Sequence, residues 1–175
     1  MSAGVIIAHK SIPLPTVLES LWEAEGDRAK KIPEKDGICF RVIYGGGNQL
    51  EALMKGELLE KWWEWVQKYE KYQQNLSPLL YRLAEELPRR ASITEDYKLF
   101  SKAARVIMDS RDHSKQLEVF AVIEEWLDEW EDWAKLSLNN PEAIGTTPGD
   151  LAKLLRFTAF WVDKRVERLK WEEKE

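Results

Sequence analysis

The chain has 175 residues, enough to bury one sizeable hydrophobic core or two small ones. Its 31 acidic and 26 basic side chains leave a net charge of −5, which argues against nonspecific nucleic-acid binding by the whole surface while leaving local basic patches open. A single cysteine, Cys39, excludes an internal disulfide and fits a reducing, cytoplasmic compartment; no apolar run approaches the roughly 20 residues that cross a bilayer, and Val5 to Ala8 is too short for a signal peptide.

Val5, Ile6 and Ile7 form an unbroken β-branched run, which predicts a strand covered on both faces. Pro13 and Pro15 mark the turn into a helix whose Leu14, Val17, Leu18, Leu21 and Trp22 recur at three- and four-residue spacing, giving one apolar face. Gly26 within it costs about 1 kcal/mol relative to Ala or marks an early helix end. A second strand follows, Ile38 to Tyr44, with Cys39 as a buried, inert thiol between Ile38 and Phe40. Gly45-Gly46-Gly47 lacks the Gly-Lys-Ser/Thr of a phosphate loop and reads as a flexible domain joint.

From there the pattern predicts helices to the end of the chain. Leu58, Trp62, Trp65, Tyr69 and Tyr72 make one stripe. Ser77-Pro78 opens a helix that carries Leu79, Leu80, Leu83 and Leu87 and is stopped by Pro88. Thr94 is expected to cap a third, with Tyr97, Phe100, Ala104, Ile107 and Met108 inward. A fourth, from about Ser114 to Leu136, would bury Phe120, Ile123, Trp126, Trp130 and Trp133. Thr147, Pro148 and Asp150 form a capping box that has Asp in place of Glu, and they open a last helix lined by Leu151, Leu154, Leu155, Thr158, Trp161 and Val162, then Val166 and Leu169. The expected fold class is α+β, predominantly α: a β-α-β segment over residues 1–47 and a bundle of about five helices over 48–175.

The opening S-A-G-x-x-I-A-H-x-x-x-P-L, the Ala-Lys ending of the first helix and the strand leading out of it resemble the end of the Palm domain in the large subunit of type III, especially type III-B (Cmr-type), CRISPR effector complexes. The resemblance extends more weakly to N-L-S-P-L-L-Y-R-L-A-E-E-L and L-L-R-F-T-A-F-W. Such subunits are similar to nucleotide cyclases, and their active members make cyclic oligoadenylates from ATP with a Gly-Gly-Asp-Asp hairpin that holds metal ions. This chain has no such hairpin, so the resemblance implies a C-terminal part or one half of a split subunit, without catalysis on its own. ATP and a divalent metal would enter only if another polypeptide supplied the missing Palm half. Implied partners are the remainder of the large subunit, the small helical subunits and, indirectly, guide and target RNA. A ferredoxin-like Palm would leave a vacant slot between the two strands, unless they close into an ordinary parallel pair; exposed edges invite another chain.

Ala29-Lys30 is the closest match to the family's phosphate-contacting lysine, with Lys31 beside it; a mobile cation there reaches a triphosphate, while a cation at a helix C-terminus is the plain alternative. The resemblance likewise places Ser2 and Gly4 near a nucleotide. His9 with Lys10 reads as a solvent-facing strand end, and His9 and His113 have no partners at zinc spacing. The acids Glu124, Glu125, Asp128, Glu129, Glu131 and Asp132 read as a solvated helix face. Arg89, Arg90, Lys98, Lys102 and Arg105, extended by Arg82 and Arg111, form a basic set for RNA phosphate or an acidic protein surface, or else a plain solvated face. Of nine tryptophans, Trp22, Trp63 and Trp171 fit their stripes less cleanly; any exposed one is a contact anchor.

Overall fold

A computed structural model of the chain describes residues 1–71, 77–109 and 117–172. The chain opens with β1 (Ala3–Ala8), α1 (Leu14–Glu23) and β2 (Gly37–Ile43). Between α1 and β2 the backbone first widens into a π-helical turn at Ala24–Arg28 and then tightens into 3-10 turns at Ala29–Lys31 and Pro33–Lys35. Gly26 therefore sits in a widened turn and does not end the helical path.

Residues 49–55 depart from the sequence expectation. They form β3 (Gln49–Lys55), antiparallel to β2, and Gly45 to Gly47 lies in the hairpin turn between them. Tyr44 N–H donates to Asn48 O, Gly47 N–H donates to Tyr44 O, and Gly47 takes φ +83°, which glycine adopts without Cβ strain. Gln, Leu, Glu, Ala, Met and Lys all favour helix intrinsically. Pairing along the fully buried β2 overrides that preference.

The sheet order is β1-β2-β3. β1 and β2 pair directly and in parallel, from Ala3 opposite Ile38 to Ala8 opposite Ile43, so no slot separates them. β2 is buried along its whole length; β1, on the outside, is only half-buried. An edge strand has one neighbour, which is why the Val-Ile-Ile run is not covered as an inner strand would be.

The helices are α2 (Leu59–Lys71), α3 (Ser77–Arg90), α4 (Phe100–Asp109), α5 (Leu117–Ala134), the short α6 (Leu136–Asn139) and α7 (Pro148–Glu172). The predicted stripes are buried: Leu58, Trp62 and Trp65; Leu79, Leu80, Leu83 and Leu87; Phe120, Ile123, Trp126, Trp130 and Trp133; Leu151, Leu154, Leu155 and Thr158. Tyr72, Arg111 and His113 lie outside the described residues, as do the side chains of Tyr69, Val166, Leu169 and Trp171. Pro88 does not stop α3, which runs on to Arg90. A missing N–H there removes one bond in the last turn, and Ala91 N–H closes the end on Leu87 O.

Sheet and helices share one hydrophobic core. Phe40 of β2 stacks on Phe157 of α7 with centroids 4.4 Å apart and meets Trp62 of α2 at 5.9 Å. Trp62 donates its indole N–H to Thr158 Oγ1 at 2.9 Å, and Thr158 Oγ1 donates to Leu154 O at 2.8 Å. A buried hydroxyl in mid-helix is thereby satisfied in both directions. The capping box forms as expected: Asp150 N–H donates to Thr147 Oγ1, and Thr147 N–H donates to Asp150 Oδ2.

Candidate functional site: the open edge of the sheet

Parallel pairing uses both backbone groups of every second residue. His9 N–H donates to Ile43 O, which fixes the odd-numbered residues of β1 as those facing β2. Gly4, Ile6 and Ala8 therefore turn their N–H and C=O groups outward, along an edge with no strand beyond it among the described residues. The sequence Ala-Gly-Val-Ile-Ile-Ala carries no charge, proline or bulge to discourage another strand.

α1 lies against the same strand. Gly4 makes this possible: a Cβ there would come within 3.0 Å of Glu25 N and 3.1 Å of Leu21 O. On one flank of α1, Arg41 of β2 donates to Ser20 O, to Ser20 Oγ and to Glu23 Oε2. At 100° per residue, Leu14, Leu18 and Trp22 fall on roughly the opposite flank from Ser20 and Glu23, which places them on the side of the open edge. They are 66%, 39% and 68% exposed, so the predicted apolar face is only partly spent on this chain's own core. Ser20 is the buried residue of α1.

Beneath the helix lies a charged network that is legible only in three dimensions. Arg41 is buried and donates through Nε to Glu51 Oε2 at 2.8 Å; Arg28 Nε donates to Glu51 Oε1 at the same distance. Burial alone raises the Glu51 carboxyl, but the two arginines outweigh it and hold the group below its ordinary value. Burial depresses Arg41, and its bonds to Glu23 and Glu51 more than restore it. Cys39, facing the same layer, is pushed up to about 12 by burial and by Glu51, as befits an unreactive thiol.

Ser2, Gly4, Lys30 and Lys31 come together at one end of the sheet, where the tightened turns return to the start of β1. Ser2 Oγ donates to Lys35 O at 2.6 Å, and Lys30 pairs with Glu25 at 2.8 Å; Lys31 is exposed. The space over Gly4 is filled by the end of α1 and the π-helical turn that follows it. At the other end of β1, His9 is exposed and its Nδ1 lies 2.8 Å from Ser11 Oγ.

The basic set is largely matched by acids. Arg82 and Arg90 pair with Glu86, Arg89 with Glu85, Lys98 with Asp132, and Arg105 with both oxygens of Glu124. Lys98 lies ahead of α4 and not on it, and Lys102 is exposed on α4. Thr94 is not the cap of α4, since its hydroxyl donates to Tyr97 O, and Tyr97 is exposed. The cap comes from far along the chain: Glu131, fully buried, accepts from Leu99 N–H and Phe100 N–H at 3.0–3.1 Å. A carboxylate at a helix N-terminus meets both the free N–H groups and the positive end of the dipole. Glu131 thus does not belong to a solvated face.

Among the described residues no group of three or more His, Cys, Asp or Glu is placed to hold a metal ion, and no helix is long and apolar enough to cross a membrane. Neither the protein-family models nor the curated proteins compared with this chain give a match.

Proposed function

We propose that this chain is a scaffolding, protein-binding part of a cytoplasmic RNA-guided antiviral complex of the type III CRISPR kind, corresponding to the end of the large subunit's Palm and its C-terminal helices. The observation that carries the reading is the unprotected β1 edge flanked by the Leu14–Leu18–Trp22 stripe. Strand addition at Gly4, Ile6 and Ala8 supplies backbone hydrogen bonds, and a helix delivered with that strand covers the stripe. A strand–helix unit from the remainder of a large subunit has that form. The helical bundle is the part that would face the small helical subunits. Its arginines and lysines are mostly engaged by acids of α3 and α5, which favours an indirect relation to guide and target RNA.

In such an assembly Ser2, Lys30 and Lys31 lie at one end of the shared sheet, where a partner's metal-holding aspartates would complete a nucleotide site. ATP and a divalent ion belong to that assembled state alone. The test mixes this chain with a polypeptide spanning the first half of such a Palm and follows amide hydrogen exchange. Protection is expected at Gly4, Ile6 and Ala8 on complex formation, with no cyclic products from ATP and magnesium by the isolated chain. Absence of a complex, or cyclic products from this chain alone, would overturn the reading.

A further inference from the structure

The open edge of β1 and the exposed stripe of α1 are both evenly spaced about one midpoint. The outward backbone groups belong to Gly4, Ile6 and Ala8, centred on Ile6. In an antiparallel pair of two such edges, Ile6 of one copy exchanges both hydrogen bonds with Ile6 of the other, and Gly4 exchanges both with Ala8. On the helix, Leu14 and Trp22 each lie four residues, about one turn, from Leu18. The two centres stand level. Gly4 lies against Leu21 and Glu25. Two strand residues further on is roughly 6.6 Å, or about four residues back along the helix, which brings Leu18 beside Ile6.

A two-fold axis through that midpoint, perpendicular to the sheet, serves strand and helix together: Leu18 meets Leu18 of the other copy, and Leu14 meets Trp22. α1 touches Gly4 of β1 and is held by Arg41 of β2, so it lies over that pair of strands. Its counterpart across the axis is two strand spacings away, about 10 Å, the distance at which helices pack. No charged side chain lies on β1, and Glu23 and Glu25 are engaged by Arg41 and Lys30. A strand from an unrelated protein needs no such match between the midpoints of strand and helix; an identical chain does. We propose that, before its partner polypeptide arrives, this chain pairs with a second copy of itself through β1 and α1, joining two three-stranded sheets into one. The inference rests on the reading of β1 as a strand-accepting edge and adds a competition, since self-pairing uses the groups that the partner needs.

The test is sedimentation equilibrium of the whole chain over a rising concentration series. The mass is expected to climb from one chain to two, with slower amide exchange at Gly4, Ile6 and Ala8 in the dimer. Leu18→Glu and Leu18→Lys should each weaken pairing by roughly a hundredfold, because like charges then meet on the axis. An equimolar mixture of the two variants should dimerise again, and all three chains should share one thermal midpoint when dilute. A single-chain mass at every concentration, a dimer unaffected by Leu18→Glu, or a mixture that stays monomeric would overturn the inference. A polypeptide spanning the first half of such a Palm, added to the dimer, is expected to convert it into one-to-one complexes. Dimers that never bind that polypeptide would sink the partner reading and leave self-pairing standing; a monomer that binds it would do the reverse.

Discussion

Glu131 is the residue whose surroundings differ most from its sequence context. It lies among acids on α5, yet its carboxylate is buried and takes two backbone N–H groups at the start of α4. Removing it strands those donors and leaves the helix uncapped, so Glu131→Ala should cost about 2–4 kcal/mol, read from urea unfolding. A loss below about 1 kcal/mol would mean that water replaces the carboxylate. Two glycines make an opposed pair. Gly4→Ala drives a methyl against backbone atoms of α1 and should destabilise by roughly 1–3 kcal/mol. Gly26→Ala meets open space and should stabilise by about 0.4–1 kcal/mol, through reduced freedom of the unfolded chain.

At the scale of elements, α1 and β3 teach different lessons. The three- and four-residue spacing of α1 is plain in the sequence, but spacing cannot say how much of an apolar face is used internally. The answer depends on where the helix sits across the sheet, which Gly4 and Arg41 set together. Because Leu18 is not packed into this chain's core, Leu18→Glu should leave the thermal midpoint nearly unchanged while abolishing capture of a strand–helix partner. A fall of several degrees in the midpoint would instead place Leu18 in the fold's own packing. β3 was hidden by helix-favouring residue types. Its signals were nevertheless present: a glycine-rich turn between two runs, and Leu50, Ala52 and Met54 alternating with Gln49, Glu51 and Lys55. The capping box of α7, by contrast, was readable directly, because its two residues are three apart and the interaction is local.

For the whole molecule, the sheet and the helices form one body of packing. Phe40, Trp62 and Phe157 interlock between them, so Phe157→Ala should cost about 3–5 kcal/mol and lower a single transition seen alike by near- and far-UV circular dichroism. Two separated transitions would instead divide the chain near the hairpin. Acid stability has a definite sign. Glu51 binds its proton more weakly when folded, so its ion pairs contribute fully above the ordinary carboxylate range and are lost as the pH falls through its depressed folded value. Glu51→Gln should therefore be less stable than the parent at neutral pH, and the gap should close as the pH falls through and below the ordinary carboxylate range.

The sequence by itself determined the fold class, the buried faces of the helices, the cap of α7 and the inert burial of Cys39, since each rests on local spacing or on neighbours a few residues away. Only the tertiary structure decided that β1 and β2 touch, that β3 joins them, that Glu131 reaches α4, and that the basic side chains are mostly matched by acids. Apart from the i,i+4 pairs within α3, which helical spacing places side by side, those outcomes depend on groups 10 to 35 positions apart, whose meeting is governed by sheet register and helix packing.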